Sequence, residues 1–374
     1  MIQKIRLTNF RNFKSKIFDF SPKTTVIVGP NASGKTNILE AIFLLSTGKS
    51  FHAQIEEEMV NYSAEIARIS GRITNNELGI MDEKGERILN TKYKIPNSNL
   101  EVVLTRGLID VGNSRPEPVA RKKMLVNGVS RRLIDFAGNF KVVLFAPHDL
   151  GLVTESPSLR RKFLDNVLSQ VDREYRRAIL SYEKGLRQRN KLLFRIRDEG
   201  LSRSQLLFWN QLLVKNGDYI SVKRQEFIDF ANATEALNDQ LFNLEYDKSA
   251  ISEGRLEQYA EEEVAAATTL VGPHRDDIQF KIQNSKFKIQ RDLSRYGSRG
   301  EQRMGVLWLK LAELAFIEEK SGERPTLLLD DILSELDHSH REIVMGIVGN
   351  QQTVITTADP HFIEKFKRVE IIKL

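Results

Sequence analysis

The apolar residues change their period twice along the chain, and each change marks a region. In the first 30 residues Ile5 and Leu7 alternate with charged neighbours, Ile17, Phe18 and Phe20 follow, and Thr24 to Val28 form a β-branched run. Strands are predicted there. Asn37 to Leu45 predicts a helix with Ile38, Ala41, Ile42 and Leu45 on one face. Between residues 65 and 140 the apolar segments are short, alternating, and broken by Gly, Asn and Pro. Lys123 to Val126 ahead of Asn127-Gly128 predicts a hairpin with a two-residue turn, and the zone reads as antiparallel sheet. After Pro157 the period becomes helical. Leu159, Phe163, Val167 and Val171 form one stripe, then Tyr175, Ile179, Tyr182, Leu186 and Leu193 another, with helical character continuing in pieces to about Ala267. The aromatics of these stripes read as core. Strands return at Gln279 to Ile282, Thr326 to Leu329, Thr353 to Thr356 and Val369 to Leu374.

The order is therefore α/β, helical insert, α/β. Residues 1–150 and 268–374 are expected to form one α/β lobe from both chain ends, and 151–267 a helical second lobe facing a partner. A length of 374 residues accommodates this, at roughly 150 residues per domain. With 41% hydrophobic and 28% charged residues the composition is that of an ordinary globular protein. Cys is absent, which excludes disulfides, thiolate nucleophiles and Cys-ligated metal centres, and a cytoplasmic setting is expected. No apolar run approaches the roughly 18 residues of a membrane helix, and Met1 to Arg6 turns polar too early for a signal peptide. No membrane partner is expected.

Charge adds a location. The net charge is only +6, yet between Arg160 and Arg197 twelve basic residues face four acidic ones. A concentrated positive stretch on an otherwise balanced chain attracts a polyanion, and Arg187, Arg189 and Arg195 are the candidate DNA contacts. A solvated helix rich in i,i+4 pairs would show the same composition.

The sharpest chemical signal is Gly29-Pro30-Asn31-Ala32-Ser33-Gly34-Lys35-Thr36, a full G-x-x-x-x-G-K-[ST] match between a strand and a helix. The glycines let successive backbone N–H groups face a phosphate, Lys35 reaches the β/γ oxygens, and Thr36 holds Mg²⁺. Such a loop needs a carboxylate from a neighbouring strand, and Thr326 to Leu329 ending in Asp330-Asp331 supplies it. Asp330 is the candidate metal ligand; Asp331, one residue on, is placed to polarise an attacking water. ATP and Mg²⁺ are the implied cofactors. A second candidate anion site opens the amphipathic helix bearing Met304, Leu307, Trp308, Leu311 and Ala315. There Ser298, Gly300 and Gln302 sit at or near a helix N-terminus, while Ser298 and Glu301 also fit a simple capping box. Two helix N-termini far apart in sequence suggest that the two sites come from different subunits. The six histidines show no metal-ligand spacing.

Together, Gly29 to Thr36, the S-x-G-x-Q element Ser298-Gly300-Gln302, Asp330-Asp331 and Ser334 to Asp337 resemble the ATP-binding-cassette head of SMC and RecF proteins. That resemblance implies a P-loop ATPase head: a mixed sheet with central parallel strands, an antiparallel subdomain and a helical second lobe. It further implies an ATP-dependent homodimer, in which the signature motif of one subunit covers the ATP of the other. An insert of about a hundred residues is too short for an SMC coiled coil. Arg160 to Asp165, Leu186 to Leu193, Gly272 to Asp277 and Phe145 to Leu150 resemble the RecF family specifically. The family implies ATP-dependent DNA binding in recombinational repair, acting with RecO and RecR to load RecA at gaps. Asp331 stands where most cassette ATPases have Glu, which fits slow turnover; no Gln occurs in Phe145 to Leu150, and Thr357 occupies roughly the switch-histidine position. A cassette subunit driving a transporter or nuclease is the alternative, and a small-molecule kinase a more distant one.

Overall fold

The computed structural model describes residues 1–374 apart from 75–79, 82–86, 89–96, 110–116, 238–239, 285–289, 336–337 and 360–368. The chain divides into two units, Met1–His148 with Ile317–Leu374, and Asp149–Phe316.

The first unit holds a five-stranded parallel sheet in the order Val142–Phe145, Thr326–Asp330, Thr353–Thr357, Thr24–Val28, Glu370–Lys373. The first four of these strands are buried along their whole length, which is why they read as unbroken apolar or Thr-rich runs. A separate antiparallel sheet runs Val129–Arg131, Lys122–Val126, Ser98–Thr105, Ile66–Ile73, Ile2–Phe10, Phe13–Asp19. Here burial alternates, as on Ile66–Ile73, because one face meets the core and the other does not. The expected hairpin is present: Asn127 and Gly128 both take positive φ, 51° and 79°, as a type I′ turn requires.

Helix Lys35–Thr47 packs against strands of both sheets. The apolar pattern predicted one buried face, but every residue from Ile38 to Thr47 is buried. Its apolar side chains join one cluster with Ile5, Leu7 and Ile69 from the antiparallel sheet and Leu144, Leu328 and Val354 from the parallel one. Parallel register sets Thr356 opposite both Asp330 and Ile27, and Thr357 opposite Val28. Three strand ends therefore finish side by side, the place where open α/β sheets bind ligands.

The second unit carries helices Pro157–Val171, Arg173–Glu199 and Leu207–Asn232, and an antiparallel sheet of Gln240–Asp247, Asp277–Asn284 and Gln290–Asp292. The two longest helices approach closely at Gly185, where a Cβ would lie 2.5 Å from Leu212. The return to the first unit falls at Ile317, inside helix Arg299–Ser321, rather than near residue 268. Strands Gln240–Asp247 and Asp277–Asn284 pair over their full length and pack on Leu207–Asn232 and Pro157–Val171, which keeps them with the helices. Arg224 bridges Asp165 and Asp276 at 2.9 Å each, and Arg160 pairs with Asp277 at 2.6 Å. The two buried arginines knit helices to sheet. Among the described residues no helix is long and apolar enough to cross a membrane.

Candidate active site

Gly29 follows the buried strand Thr24–Val28, and its N–H donates to the Thr357 carbonyl at the end of the neighbouring strand, 3.4 Å away. The loop then curls: Ser33 N–H donates to Pro30 O at 3.3 Å, and Gly34 takes φ 106° as it enters the helix. Only glycine fits there, since a Cβ at Gly34 would stand 2.6 Å from the Asn12 amide as well as in a left-handed conformation. Ala32 also has positive φ, 65°. Pro30, Asn31 and Ala32 are exposed, so the loop is open to a ligand.

Three observations fit a phosphate group. Helix Lys35–Thr47 has no side-chain cap, leaving its first N–H donors to an anion. Lys35 Nζ folds over the loop and donates to Gly29 O and Pro30 O at 2.9 and 3.0 Å. Ser33 Oγ is buried without a hydrogen-bond partner, a cost that a ligand oxygen would relieve.

Thr36 and Asp330, 294 residues apart, meet: the Thr36 hydroxyl lies 3.0 Å from both carboxylate oxygens. A carboxylate, a hydroxyl and a neighbouring phosphate loop suit Mg²⁺, which keeps waters and takes phosphate oxygens rather than an all-protein cage. The described residues contain no cluster of three or more His, Cys, Asp or Glu able to hold a metal by themselves. Asp331 is half-buried with φ 49°, unusual for a residue with a side chain, and its N–H donates to Thr356 Oγ1 at 2.9 Å. Thr357 Oγ1 accepts from Asp359 N–H at 3.1 Å, a local turn contact.

Sequence reading missed the turn between the first two strands. Asn12 donates to Ser33 O at 3.0 Å and accepts from the Asn37 amide at 2.9 Å, so it braces both sides of the loop. Arg11, at φ 51°, holds the fully buried Glu40 of the loop's helix through two hydrogen bonds of 2.8 and 2.7 Å. The only signal was a polar Arg-Asn pair between two strands.

The second helix start belongs to the other unit. Ser298 and Glu301 form the reciprocal capping box: Glu301 N–H donates to Ser298 Oγ at 3.2 Å, and Ser298 N–H to Glu301 Oε2 at 2.7 Å. Ser298, Arg299 and Gly300 are exposed, and a Cβ at Gly300 would meet nothing nearer than 4.0 Å. Gln302 differs from expectation. It is 9% exposed and its amide donates to Leu293 O and Ser294 O at 3.3 and 3.4 Å, so it braces the preceding turn instead of facing a nucleotide. The helix itself is buried on all sides from Met304 to Lys310, while Ala315 is exposed, so its core side is not the simple stripe expected. Of the Ser334 to Asp337 element, Leu336 and Asp337 lie outside the described residues.

The basic helix also requires a correction. Arg189 is 2% exposed and bonds to Glu263, Asn210 and Thr269 at 2.6, 2.7 and 2.8 Å, so it cannot reach DNA. Its position could have been found: it fills the gap in the stripe between Leu186 and Leu193. Arg195 is exposed and paired with Glu199 at 2.9 Å. Arg187 is exposed and pairs with no described residue, as do Lys184 and Lys191 on the same helix face. His274 serves structure: its ring contacts Tyr182 OH at 2.8 Å and Thr269 O at 3.1 Å, and burial pushes its pKa down to about 4.

Known proteins place these features in a lineage. The RecF/RecN/SMC N-terminal domain family matches residues 1–373. The DNA replication and repair protein RecF of Herpetosiphon aurantiacus is 33% identical, covering 99% of this chain and 97% of that protein. That of an Exiguobacterium species is 34% identical over 96% and 92%. A solved structure of the recombination mediator protein RecF with ATP superposes with a TM-score of 0.80 at 29% identity, covering 96% of this chain and 92% of that one. The Smc head domain from Pyrococcus furiosus, at 16% identity and a TM-score of 0.50 over 98% and 92%, shares the fold. The chain belongs to the RecF/RecN/SMC N-terminal domain family, on the branch of the RecF DNA replication and repair proteins.

Proposed function

We propose that this chain is an ATP-gated DNA-binding protein of replication and recombinational repair. Gly29 to Thr36 cradle the triphosphate, Lys35 leaves the loop carbonyls for the β/γ oxygens, and Thr36 and Asp330 hold Mg²⁺, whose charge offsets that of the phosphates. Ser298 and Gly300 of a second copy close on the γ-phosphate, so ATP makes the dimer. Asp331 orients the attacking water, and slow hydrolysis releases the pair. The exposed cations Lys184, Arg187 and Lys191 give DNA a sequence-independent contact. Two solved RecF structures that the chain resembles are of a recombination mediator in the RecFOR pathway; by kinship the partners here are RecR and RecO, and through them RecA.

The observation carrying this reading is the meeting of Thr36 with Asp330 beside an open loop whose Ser33 hydroxyl is buried and unpartnered. Sedimentation with Mg²⁺ and ATP tests it. Wild type should shift toward dimer, Asp331→Asn should accumulate dimer, and Lys35→Ala should stay monomeric. An Asp331→Asn protein that remains monomeric with ATP would contradict the gate. Arg187→Glu with Lys191→Glu should weaken DNA binding and flatten its salt dependence.

A further inference from the structure

Thr356 is fully buried, in the strand between those that carry the phosphate loop and Asp330. Its single hydroxyl has two strong partners. It donates to Asp330 Oδ1 at 2.8 Å and accepts from Asp331 N–H at 2.9 Å; Leu329 O, at 3.4 Å, is a weaker alternative acceptor. One oxygen therefore touches both members of the carboxylate pair, which have different tasks.

The consequences for the two are distinct. Asp330 also receives the Thr36 hydroxyl, so two donors on opposite elements fix the plane of its carboxylate. Asp331 is held in a left-handed backbone conformation, φ 49°, which costs a residue with a Cβ on the order of 1 kcal/mol or more. Such a conformation persists only where the surroundings enforce it, and the Asp331 N–H to Thr356 bond is one enforcing contact. A slide of Asp330 is felt at Asp331 through one atom.

We propose that Thr356 is a positioning residue for ATP hydrolysis, its hydroxyl coupling the metal-site carboxylate Asp330 to the aim of Asp331. The inference rests on the ATPase reading above. Parallel register explains why this residue can do so: Thr356 is paired with Asp330 in the sheet, so its side chain cannot drift from the carboxylate. A β-branched residue suits the strand whether or not it bears a hydroxyl, so Thr356→Val removes the bonds while keeping shape and strand preference.

The test is steady-state ATPase turnover across a Mg²⁺ titration, with nucleotide affinity measured separately, on wild type, Thr356→Val, Thr356→Ala and Thr356→Ser. In Thr356→Val, kcat should fall roughly 10- to 100-fold, the loss expected when a reacting group is misplaced by about an ångström. ATP affinity should stay within about threefold, and half-maximal turnover should need more Mg²⁺. Thr356→Ser should return kcat to within about threefold of wild type. Should Thr356→Val fail to fold, Thr356→Ala against Thr356→Ser makes the same comparison. A loss in Thr356→Ser as large as that in Thr356→Val would overturn the inference, as would unchanged turnover in Thr356→Val, and a loss confined to the Ser form would assign the effect to methyl packing. Wild type without Mg²⁺-dependent turnover would instead remove the ATPase reading and this inference with it.

Discussion

Helices Lys35–Thr47 and Arg299–Ser321 both begin at glycine-rich turns, yet their first residues are treated in opposite ways. The first has no side-chain cap, and the buried Ser33 hydroxyl beside it has no hydrogen-bond partner. The second is sealed by its own capping box, with Ser298 Oγ already accepting from Glu301 N–H. The same helix dipole is thus left open in one place and closed in the other. Helices Pro157–Val171 and Leu207–Asn232 also lack a side-chain cap, so what sets the first start apart is the unpartnered Ser33 hydroxyl beside it, a donor that an anion can satisfy. A self-capped, exposed one is stable alone and can engage a ligand that a second molecule delivers. Their interiors contrast too. The first helix buries Glu40 against one arginine, whereas the second buries Lys310 between Asp149 and Glu313 at 3.3 and 3.2 Å.

The largest effect should come from breaking the buried pair of the first helix. Arg11→Ala leaves Glu40, 1% exposed, with the Ser50 hydroxyl as its one side-chain partner among the described residues. Stranding a buried charge costs about 3–5 kcal/mol. Denaturant unfolding should show that loss, and Arg11→Lys should recover only part of it, since Lys cannot repeat the two-pronged contact. Because the same turn carries Asn12 to the loop, ATP affinity should fall as well. Unchanged stability in Arg11→Ala would mean Glu40 is satisfied in another way.

Next is the charge cluster of the second helix. Two carboxylates face one lysine, and burial, opposed by Lys310 and reinforced by Asp149, pushes Glu313 up to about 7. Its pKa is raised above the ordinary 4.5, so the stabilising protonation is complete below about 4.5 and is lost as pH rises through about 7. Glu313→Gln stays neutral and leaves Lys310 with Asp149 alone. Between about pH 4.5 and 7.5 the variant should gain stability relative to wild type, by up to about 3 kcal/mol in all. Parallel melting curves for the two proteins over that range would show that Glu313 ionises at an ordinary pH.

How much of this the sequence displayed depends on how local each cause is. The phosphate loop was legible because its demands are consecutive: glycine where φ reaches 106°, then Lys and Thr on the first turn of a helix. The strand ending in Asp330 was legible because full burial writes an apolar run, and the hairpin because Asn-Gly takes positive φ at both turn positions with little cost. Arg11 and Asn12 were not, since their meaning comes from β-pairing that carries them to the loop. Arg189 misled because a buried arginine and an exposed one look alike in a basic run, and only the apolar stripe around it tells them apart. Gln302 misled similarly: its motif position suggested a ligand contact, and the turn it braces is made by Leu293 and Ser294, which no motif includes.

The smallest change separates the two roles of Ser298. Replacing it by Ala removes the cap and should cost about 1 kcal/mol, but Gly at an N-cap costs only a few tenths. Ser298→Gly therefore deletes the hydroxyl while leaving the helix nearly as stable, which the capping contact alone cannot distinguish from wild type. If the hydroxyl also meets the nucleotide of a second copy, ATP-driven dimerisation should weaken several-fold in Ser298→Gly with the melting temperature almost unmoved. Dimerisation that follows stability instead, intact in Gly and reduced in Ala, would make Ser298 a cap and nothing more, and the contrast between the two helix starts would then be one of folding alone.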